Sequence, residues 1–327
     1  MNWLNVPKKI YFKRGSIAVA LKELSEVYSF KSAFIVSDAK LYRKGIPSKV
    51  NDLLISKGIR VSEFFSINAI PTFEDIHNAI PMMQEFKPDV IIGVGGSAAM
   101  NAAKAMWLLY ENPDLDLKKT ADKFNIVKTG DPEFPKVGEK AQLILVSTTA
   151  GSGAECTPFT VLSDDKGKKC SIASYELLPV IAIIDADFAM EASREQLRDS
   201  GLTVLTQAVR AYISPDATDY IRGFCKDAVT RVIKELPEAV AKGASAPEAV
   251  ENIVNASALA GIAIGNAQKS IDPEAVWYPT HEEKSPDADT KTKIVELAKA
   301  VGIFGKTDDD LFDAWIDACL KLHRLKA

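Results

Sequence analysis

Histidine is scarce in this chain of 327 residues, which contains only His77, His281 and His323. The three lie far apart, and none has the His-x-x-x-His or Glu-x-x-His spacing that places two metal ligands on one face of a helix. No serine–histidine–aspartate or cysteine–histidine arrangement is recognisable either. The sequence therefore argues against a histidine-based metal site, and we expect His77 and His323 to lie on the surface.

Cysteine is also rare, and both long apolar runs and an excess of positive charge are missing. The four cysteines lack C-x-x-C spacing, which is typical of reduced thiols in a cytoplasmic protein rather than of a disulfide framework. No apolar run approaches the roughly 18 residues of a membrane span, and the N-terminus lacks the apolar core of a signal peptide. Because 40 basic residues stand against 44 acidic ones, the net charge of −4 does not favour nucleic acid or a membrane as partner.

What the chain does contain, up to about residue 186, is an alternation of short apolar runs and amphipathic segments. The amphipathic segments include 16–28, 43–57 and 73–86. This alternation predicts βαβ units, and hence a parallel sheet with helices on both faces. A hairpin that turns at 165–167 is predicted after the fourth run. The five runs are KKIYF, AFIVSD, DVIIGVGG, LILVSTT and IAIIDAD.

From about residue 190 the apolar periodicity becomes helical. In GLTVLTQAVRAYIS, apolar residues recur at spacings of three and four, whereas the stretch 268–285 shows no such period. We therefore predict an α/β domain over residues 1–187 and an all-helical domain over residues 188–327. The further helical segments are 218–236, 246–267, 286–301 and 308–324.

The segment VIIGVGGSAAMNAAK, residues 90–104, joins an apolar strand to a helix through Gly95, Gly96 and Ser97. Such a turn places free backbone N–H groups at a helix N-terminus, where the helix dipole favours an anion. The alternative is a tight turn that needs glycine for its backbone angles and binds nothing. Short glycine motifs alone do not decide between these interpretations.

Two further strand ends carry polar residues. The segment STTAGSGAECTP, residues 147–158, follows a buried strand and includes Thr148 and Thr149, while Asp38 ends the run AFIVSD. Open α/β sheets bind ligands beyond the carboxyl ends of their strands, so these residues are candidates for a nucleotide site, with Asp38 on the ribose hydroxyls. The alternatives are a loop that satisfies its own backbone and an aspartate that caps the next helix.

Taken together, these segments resemble the iron-dependent (group III) alcohol dehydrogenases, and in particular the alcohol dehydrogenase half of bifunctional aldehyde–alcohol dehydrogenases. The resemblance implies a Rossmann-like N-terminal domain, an all-helical C-terminal domain, an active site in the cleft between them, and NAD as cofactor. This is the dehydroquinate synthase-like fold. The matching segments, in the family's order and spacing, are VPKKIYFKRGS, AFIVSD, FKPDVII, AMWLLYENP, TTAGSGAECTPFTVLSDD, IAIIDAD, LTQAVRAYIS and NASALAGIAIGNA.

The resemblance also implies which residues bind the cofactor, and here the chain departs from the family. The family's loop reads Gly-Gly-Gly-Ser-x-x-Asp-x-Ala-Lys, whereas this chain changes the third glycine, the serine and the aspartate and keeps Lys104. The Cβ of Ser97 is expected to crowd a pyrophosphate. A family lysine near the cofactor corresponds to Lys169. The cofactor-binding candidates are Asp38, Gly95, Gly96, Ser97, Asn101, Thr148, Thr149 and Lys169.

The metal site that the family implies is not preserved. The family holds a divalent ion with an aspartate and a histidine that align with Thr203 and Gln207, and with two histidines from a segment missing after Asn266. Threonine and glutamine supply neither a carboxylate nor an imidazole, and Arg210 adds a positive charge one turn further on. We therefore expect no bound metal and a helical domain that is truncated relative to the family.

Two functions compete on this evidence. The first is a metal-free, catalytically degenerate member of the family that retains NAD(H) binding and serves as a binding or assembly subunit. The second is an active NAD-dependent oxidoreductase of small alcohols or aldehydes, with His281, Glu282 or Lys169 as acid–base groups. A truncated product of low stability is a third possibility. The resemblance also suggests a homo-oligomer or association with related dehydrogenases.

Overall fold

The structure is a computed structural model, which describes residues 3–128, 130–269 and 286–326. Within these ranges, six strands form one sheet in which every neighbouring pair is parallel, and two form an antiparallel hairpin. The strands are β1 (Lys9–Phe12), β2 (Ser32–Val36), β3 (Arg60–Phe64), β4 (Val90–Gly95), β5 (Gln142–Ser147), β6 (Phe159–Ser163), β7 (Lys169–Ala173) and β8 (Ile181–Ile184). The order in the sheet is β1-β8-β5-β4-β2-β3. The parallel sheet predicted from the sequence is confirmed.

Helices cover both faces of the sheet because its central strands are buried on both sides. Along β4, Ile92 and Val94 pack with α1 and α3, whereas Ile91 packs on the other face with α4 and α5. Alternate residues of a strand point to opposite faces, which explains why nearly the whole run is apolar. The helices of this half are α1 (Ser16–Glu26), α2 (Ala39–Arg43), α3 (Ile46–Ser56), α4 (Phe73–Phe86), α5 (Ser97–Glu111) and α6 (Leu117–Lys123).

The strand β3 was not predicted, whereas the hairpin was. β6 and β7 pair from Phe159 with Ala173 to Ser163 with Lys169, on either side of the predicted turn. β3 lies at the edge of the sheet and pairs only with β2. Its short sequence RVSEF mixes apolar and charged residues, as an edge strand with one solvated side does.

The second half consists of long helices that share one core with the end of the sheet. Helices α7, α8 and α9 pack against one another, and Ala182 and Ile184 of β8 belong to the same apolar cluster. The predicted domain boundary after residue 187 falls between β8 and α7. Among the described residues, no helix is long and apolar enough to cross a membrane. The helices are α7 (Arg194–Ile213), α8 (Asp219–Lys242), α9 (Pro247–Ala267), α10 (Ala288–Ala300) and α11 (Asp308–His323).

Candidate nucleotide site

The polar strand ends identified in the sequence lie side by side. Asp38, Gly95 and Thr148 follow β2, β4 and β5, which are neighbours in the sheet. From β2 the chain continues to β3 on one side, and from β4 it continues to β5 on the other side. The crevice between β2 and β4 is therefore a topological switch point, the usual place for a ligand in an open α/β sheet.

A cleft of about 150 Å³ opens at this switch point. Four of the predicted cofactor-binding residues line it, namely Asp38, Gly96, Thr148 and Thr149. Its floor and walls combine apolar and charged side chains, which suits a ligand with both a flat apolar group and anionic groups. The other lining residues are Lys40, Leu41, Lys44, Ile46, Phe188, Glu191, Ala192 and Gln196.

The glycine turn brings backbone, rather than side chains, to the cleft. A Cβ on Gly95, whose φ is +157°, would lie 2.7 Å from the Cβ of Ala99, and a Cβ on Gly96 would lie 3.1 Å from Thr149 Oγ1. Gly96 caps α5 without any side-chain hydrogen bond, so the first N–H groups of this helix remain available to an anion. Ser97 begins the helix in ordinary conformation and is exposed. The crowding of a pyrophosphate by its Cβ stays a prediction.

Asp38 fills one of the two roles that the sequence left open, that of a helix cap, and its ribose contact stays a prediction. Its Oδ1 accepts hydrogen bonds from the backbone N–H groups of Lys40 and Leu41, both at 2.9 Å, and thereby caps α2. Its Oδ2 lies 3.8 Å from the place that a Cβ on Gly95 would occupy. The carboxylate thus caps a helix with one oxygen and presents the other beside the glycine turn.

Thr148 offers a buried hydroxyl to the cleft. The residue is only 2% exposed, and its Oγ1 has no hydrogen-bond partner among the described residues. Its backbone N–H donates to the carbonyl of Gly95 at 3.1 Å, which ties the two turns together. Since buried hydroxyls are nearly always paired, an unpaired one that lines a cleft marks a position where a ligand or water would bind.

Asn101 and Lys169 are placed away from this cleft. The carbonyl of Asn101 accepts a hydrogen bond of 2.7 Å from Thr160 Oγ1, so this part of α5 faces β6. Lys169 begins β7 and pairs with Ser163, whose backbone N–H donates to Pro71. Neither residue is among those that line the cleft.

The lysine that ends the glycine segment turns inward instead of toward the cleft. Lys104 is fully buried, and its Nζ donates to the carbonyls of Ala154, Thr157 and Phe159 at 2.8, 2.6 and 2.9 Å. It therefore clamps α5 to residues 154–159, which follow the second glycine-containing turn of the site, residues 148–153, called the second turn below. One signal in the sequence could have shown this: α5 is apolar all around, so a charged residue within it must be buried.

A buried carboxyl lies beside this clamp. Glu155 is 1% exposed, and neither of its carboxyl oxygens has a hydrogen-bond partner among the described residues. Burial raises the pKa of Glu155 to about 7, against the attraction of the Lys104 ammonium. Burial likewise lowers the pKa of Lys104 to about 7. The three carbonyl acceptors favour its charged form, because only the ammonium supplies three N–H donors.

The two positions that the resemblance aligns with family metal ligands are hydrogen-bonded to backbone carbonyls. Thr203 Oγ1 donates to the carbonyl of Asp199 in its own helix at 2.8 Å, and Gln207 Nε2 donates to the carbonyl of Ser152 at 3.1 Å. Within residues 3–128, 130–269 and 286–326, no group of three or more His, Cys, Asp or Glu side chains could hold a metal ion. His281 and Glu282, candidates for a rebuilt site, lie outside the described residues.

Comparison with known families decides what kind of protein carries this cleft. The family model described as "Iron-containing alcohol dehydrogenase" matches residues 7–186. The chain belongs to this family. A second model, "Fe-containing alcohol dehydrogenase family, C-terminal", matches residues 198–274. The resemblance drawn from the sequence motifs is therefore confirmed.

Curated relatives of the chain are much longer than the chain itself. The bifunctional aldehyde-alcohol dehydrogenase AdhE of Escherichia coli K12 is 37% identical over 268 residues, which cover 82% of this chain and 30% of that protein. The aldehyde-alcohol dehydrogenase of Clostridium acetobutylicum is 32% identical, covering 100% of this chain and 41% of that protein. The chain thus spans less than half the length of these relatives.

Solved structures share the fold. The iron-containing alcohol dehydrogenase of Thermococcus thioreducens superposes with a TM-score of 0.81 at 24% identity, covering 100% of this chain and 88% of that one. The sulfoacetaldehyde reductase of Bifidobacterium kashiwanohense, solved in complex with NAD⁺, has a TM-score of 0.79 at 22% identity, covering 100% and 87%. The predicted fold class, a Rossmann-like domain followed by a helical domain, is confirmed.

Proposed function

We propose that the chain is an NAD(H)-binding member of the iron-containing alcohol dehydrogenase family that holds no catalytic metal and has lost most alcohol dehydrogenase activity. The observation that carries this proposal is the hydrogen bond that the Gln207 side chain makes. Gln207 replaces an aligned histidine ligand, and its amide is engaged with the Ser152 carbonyl. Thr203 is engaged within its own helix. Neither side chain offers the carboxylate or the imidazole with which the family holds its divalent cation.

The size of the metal's contribution shows why its loss matters. A bound metal lowers the pKa of coordinated water from about 15.7 to about 7, which corresponds to roughly 12 kcal/mol. General acid–base catalysis by a side chain contributes about 10²–10⁴-fold, or roughly 3–5 kcal/mol. A site that uses side-chain acid–base groups in place of the metal would therefore recover only a minor part of the rate of the metal-dependent reaction.

The residues at the switch point fit a dinucleotide. The free N–H groups at the start of α5, beside Gly95 and Gly96, suit a pyrophosphate. Asp38 Oδ2 suits a ribose hydroxyl, and the unpaired Thr148 hydroxyl supplies a further donor. NAD itself, when bound, would supply the hydride acceptor. A structural neighbour was solved with NAD⁺, which supports the same ligand here.

Replacing Asp38 with asparagine tests the nucleotide site. Asparagine caps helices as well as aspartate does, so α2 should be unaffected, but the charged acceptor for ribose is lost. A hydrogen bond to a charged group is worth about 1 kcal/mol more than a neutral one, so we expect calorimetry to show roughly fivefold weaker NADH binding. The matched control is Asp116→Asn, because Asp116 caps α6 through Lys119 and does not line the cleft. Equal NADH affinity of Asp38→Asn and wild type would contradict the assignment.

Metal content and turnover distinguish the proposal from the alternative of an active oxidoreductase. The protein, purified with added Fe²⁺ or Zn²⁺ and then dialysed, is expected to retain far less than one metal per chain by elemental analysis. Alcohols and aldehydes are expected to give no metal-stimulated turnover of NAD(H). Stoichiometric metal together with turnover would establish the active oxidoreductase instead.

The oligomeric state and the cellular location are proposed on grounds other than the cleft, namely the family resemblance and the cysteines. We propose a cytoplasmic protein that forms a homo-oligomer or associates with related dehydrogenases. Its scattered thiols support the compartment, since all four cysteines are free and three of them are buried. Light scattering of the purified chain, alone and mixed with a full-length relative, measures the assembly directly.

A further inference from the structure

Side chains of the helical half hold two peptide groups of the second turn, Ala150–Gly151 and Ser152–Gly153. Ser257 Oγ, from α9, accepts hydrogen bonds from the backbone N–H groups of Gly151 at 2.8 Å and Gly153 at 3.1 Å. Between them, the carbonyl of Ser152 accepts the Gln207 Nε2 donor from α7. The conformation of this turn therefore depends on residues that lie far away in the chain.

The turn is inserted tightly between these two helices. A Cβ on Gly261 of α9 would lie 2.4 Å from the Gly153 carbonyl oxygen, and a Cβ on Gly151 would lie 3.4 Å from the Cα of Ser200 in α7. Ser257 is 1% exposed. Because the backbones of Gly153 and Gly261 lie too close together for a side chain on either residue, a peptide group that loses its partner here has little room to find another.

The same turn begins with the threonines of the nucleotide cleft. Ala150 alone separates Thr149 from Gly151, and Ser147 Oγ donates to the Thr149 carbonyl at 2.9 Å. Because the two threonines and the two glycines belong to one short turn, we expect a change of backbone at 151–153 to displace the hydroxyls of both threonines. Gln207 and Ser257 are thereby linked to the nucleotide site, although neither of them lines the cleft.

We infer that Gln207 and Ser257 are positioning residues that hold the second turn in the shape required for dinucleotide binding. This inference rests on the proposed NAD(H) site. In place of a metal ligand, position 207 supplies an amide that fixes Ser152, and Ser257 fixes the glycines on either side. The Oε1 atom of Gln207 is buried without a partner among the described residues, so the donor nitrogen is the part of the amide in use.

Four variants separate this role from simple stabilisation. Ser257→Ala removes the acceptor shared by Gly151 and Gly153, and Gln207→Glu replaces the donor by a carboxylate that repels the Ser152 carbonyl. Gln207→His retains a ring N–H that can donate to the same carbonyl. Thr206→Val is the matched control, because Thr206 lies next to Gln207 on α7 and its hydroxyl donates to the Leu202 carbonyl of its own helix.

Calorimetric titration with NADH in the presence of EDTA is the first measurement. We expect the affinity to fall at least tenfold in Ser257→Ala and Gln207→Glu, to remain within about threefold of wild type in Gln207→His, and to be unchanged in Thr206→Val. Recovery by the histidine variant is decisive, since a merely structural loss would not be restored by a donor of different shape. Wild-type affinity in Ser257→Ala or Gln207→Glu would overturn the inference.

Amide hydrogen exchange of the unliganded protein is the second measurement, and it does not depend on NADH. The peptide that spans 148–156 is expected to exchange at least tenfold faster in Ser257→Ala and Gln207→Glu than in wild type and Thr206→Val. Unchanged exchange would overturn the inference even if NADH binding weakened. If wild type binds no NADH, the proposed function fails and the nucleotide-positioning role fails with it, whereas faster exchange would still show that the turn is held structurally.

Discussion

Replacing Lys104 with methionine is expected to destabilise the protein by about 3–5 kcal/mol, the usual loss when one partner of a buried charged pair is removed. Methionine has a similar length but no donor, so the carbonyls of Ala154, Thr157 and Phe159 would lose their partner in a dry environment. The Glu155 carboxyl would lose its nearby positive charge at the same time. Denaturation by guanidinium chloride, followed by circular dichroism, measures the free energy of unfolding.

A surface lysine provides the control for this experiment. Lys22 has a side chain that is 59% exposed, and it makes a 3.8 Å ion pair with Glu26 on the same helix. Lys22→Met should therefore change the free energy of unfolding by less than about 1 kcal/mol. If Lys104→Met were equally mild, Lys104 would not be the clamp that we describe, and its three carbonyl contacts would contribute little.

Glu155→Gln is expected to flatten the dependence of stability on pH between about 4.5 and 7. Burial raises the pKa of Glu155 from its ordinary value of 4.5 to about 7, so within this window the folded protein keeps a proton that the unfolded chain releases. The contribution to stability is fully present below pH 4.5 and is lost as the pH rises through 7. A pKa change of this size corresponds to roughly 3 kcal/mol in the free energy of unfolding. Glutamine has a similar shape and does not titrate, so the variant should lack this slope.

Lys104 contributes a slope of opposite sign at higher pH. Its pKa is lowered from 10.5 to about 7, so the unfolded chain binds the extra proton between pH 7 and 10.5 and stability rises with pH there. That part of the profile should survive in Glu155→Gln and extend to lower pH, because the Glu155 carboxylate raises the pKa of Lys104. Urea unfolding of both proteins at half-unit pH steps gives the comparison, and identical slopes below pH 7 would show that Glu155 is not the titrating group.

Much of the fold could be predicted from local pattern, because burial on both sides of a parallel sheet leaves a strong signal. The apolar runs that became β4 and β5 and the hairpin turn near Gly167 all came from such signals. The exception was β3, whose residues Arg60–Phe64 form a solvated edge and carry no comparable pattern. Edge strands are recognised by their pairing, which only the assembled sheet supplies.

Part of the candidate site could also be predicted from the sequence, because a parallel sheet brings its strand ends together. Asp38, Gly96, Thr148 and Thr149 line one cleft because the carboxyl ends of parallel strands meet at one edge of the sheet. Asn101 was inferred from the family's loop alone; in the folded chain its backbone carbonyl bonds Thr160 of β6, and the residue is not among those that line the cleft. A loop motif gives the spacing of side chains along the chain, but it does not give the face of the helix on which each one lies.

The sequence by itself determined the class of this protein: a parallel sheet with strand ends suited to a nucleotide, a helical second half, and metal-ligand positions without ligands. Only the tertiary structure decided which carbonyls Lys104 bonds and that Ser257 and Gln207 hold the second turn. The physical reason is that these contacts join a side chain to backbone groups 50 or more residues away. Backbone N–H and carbonyl groups are the same at almost every position, so no pattern of residue types can reveal which of them a distant side chain will meet.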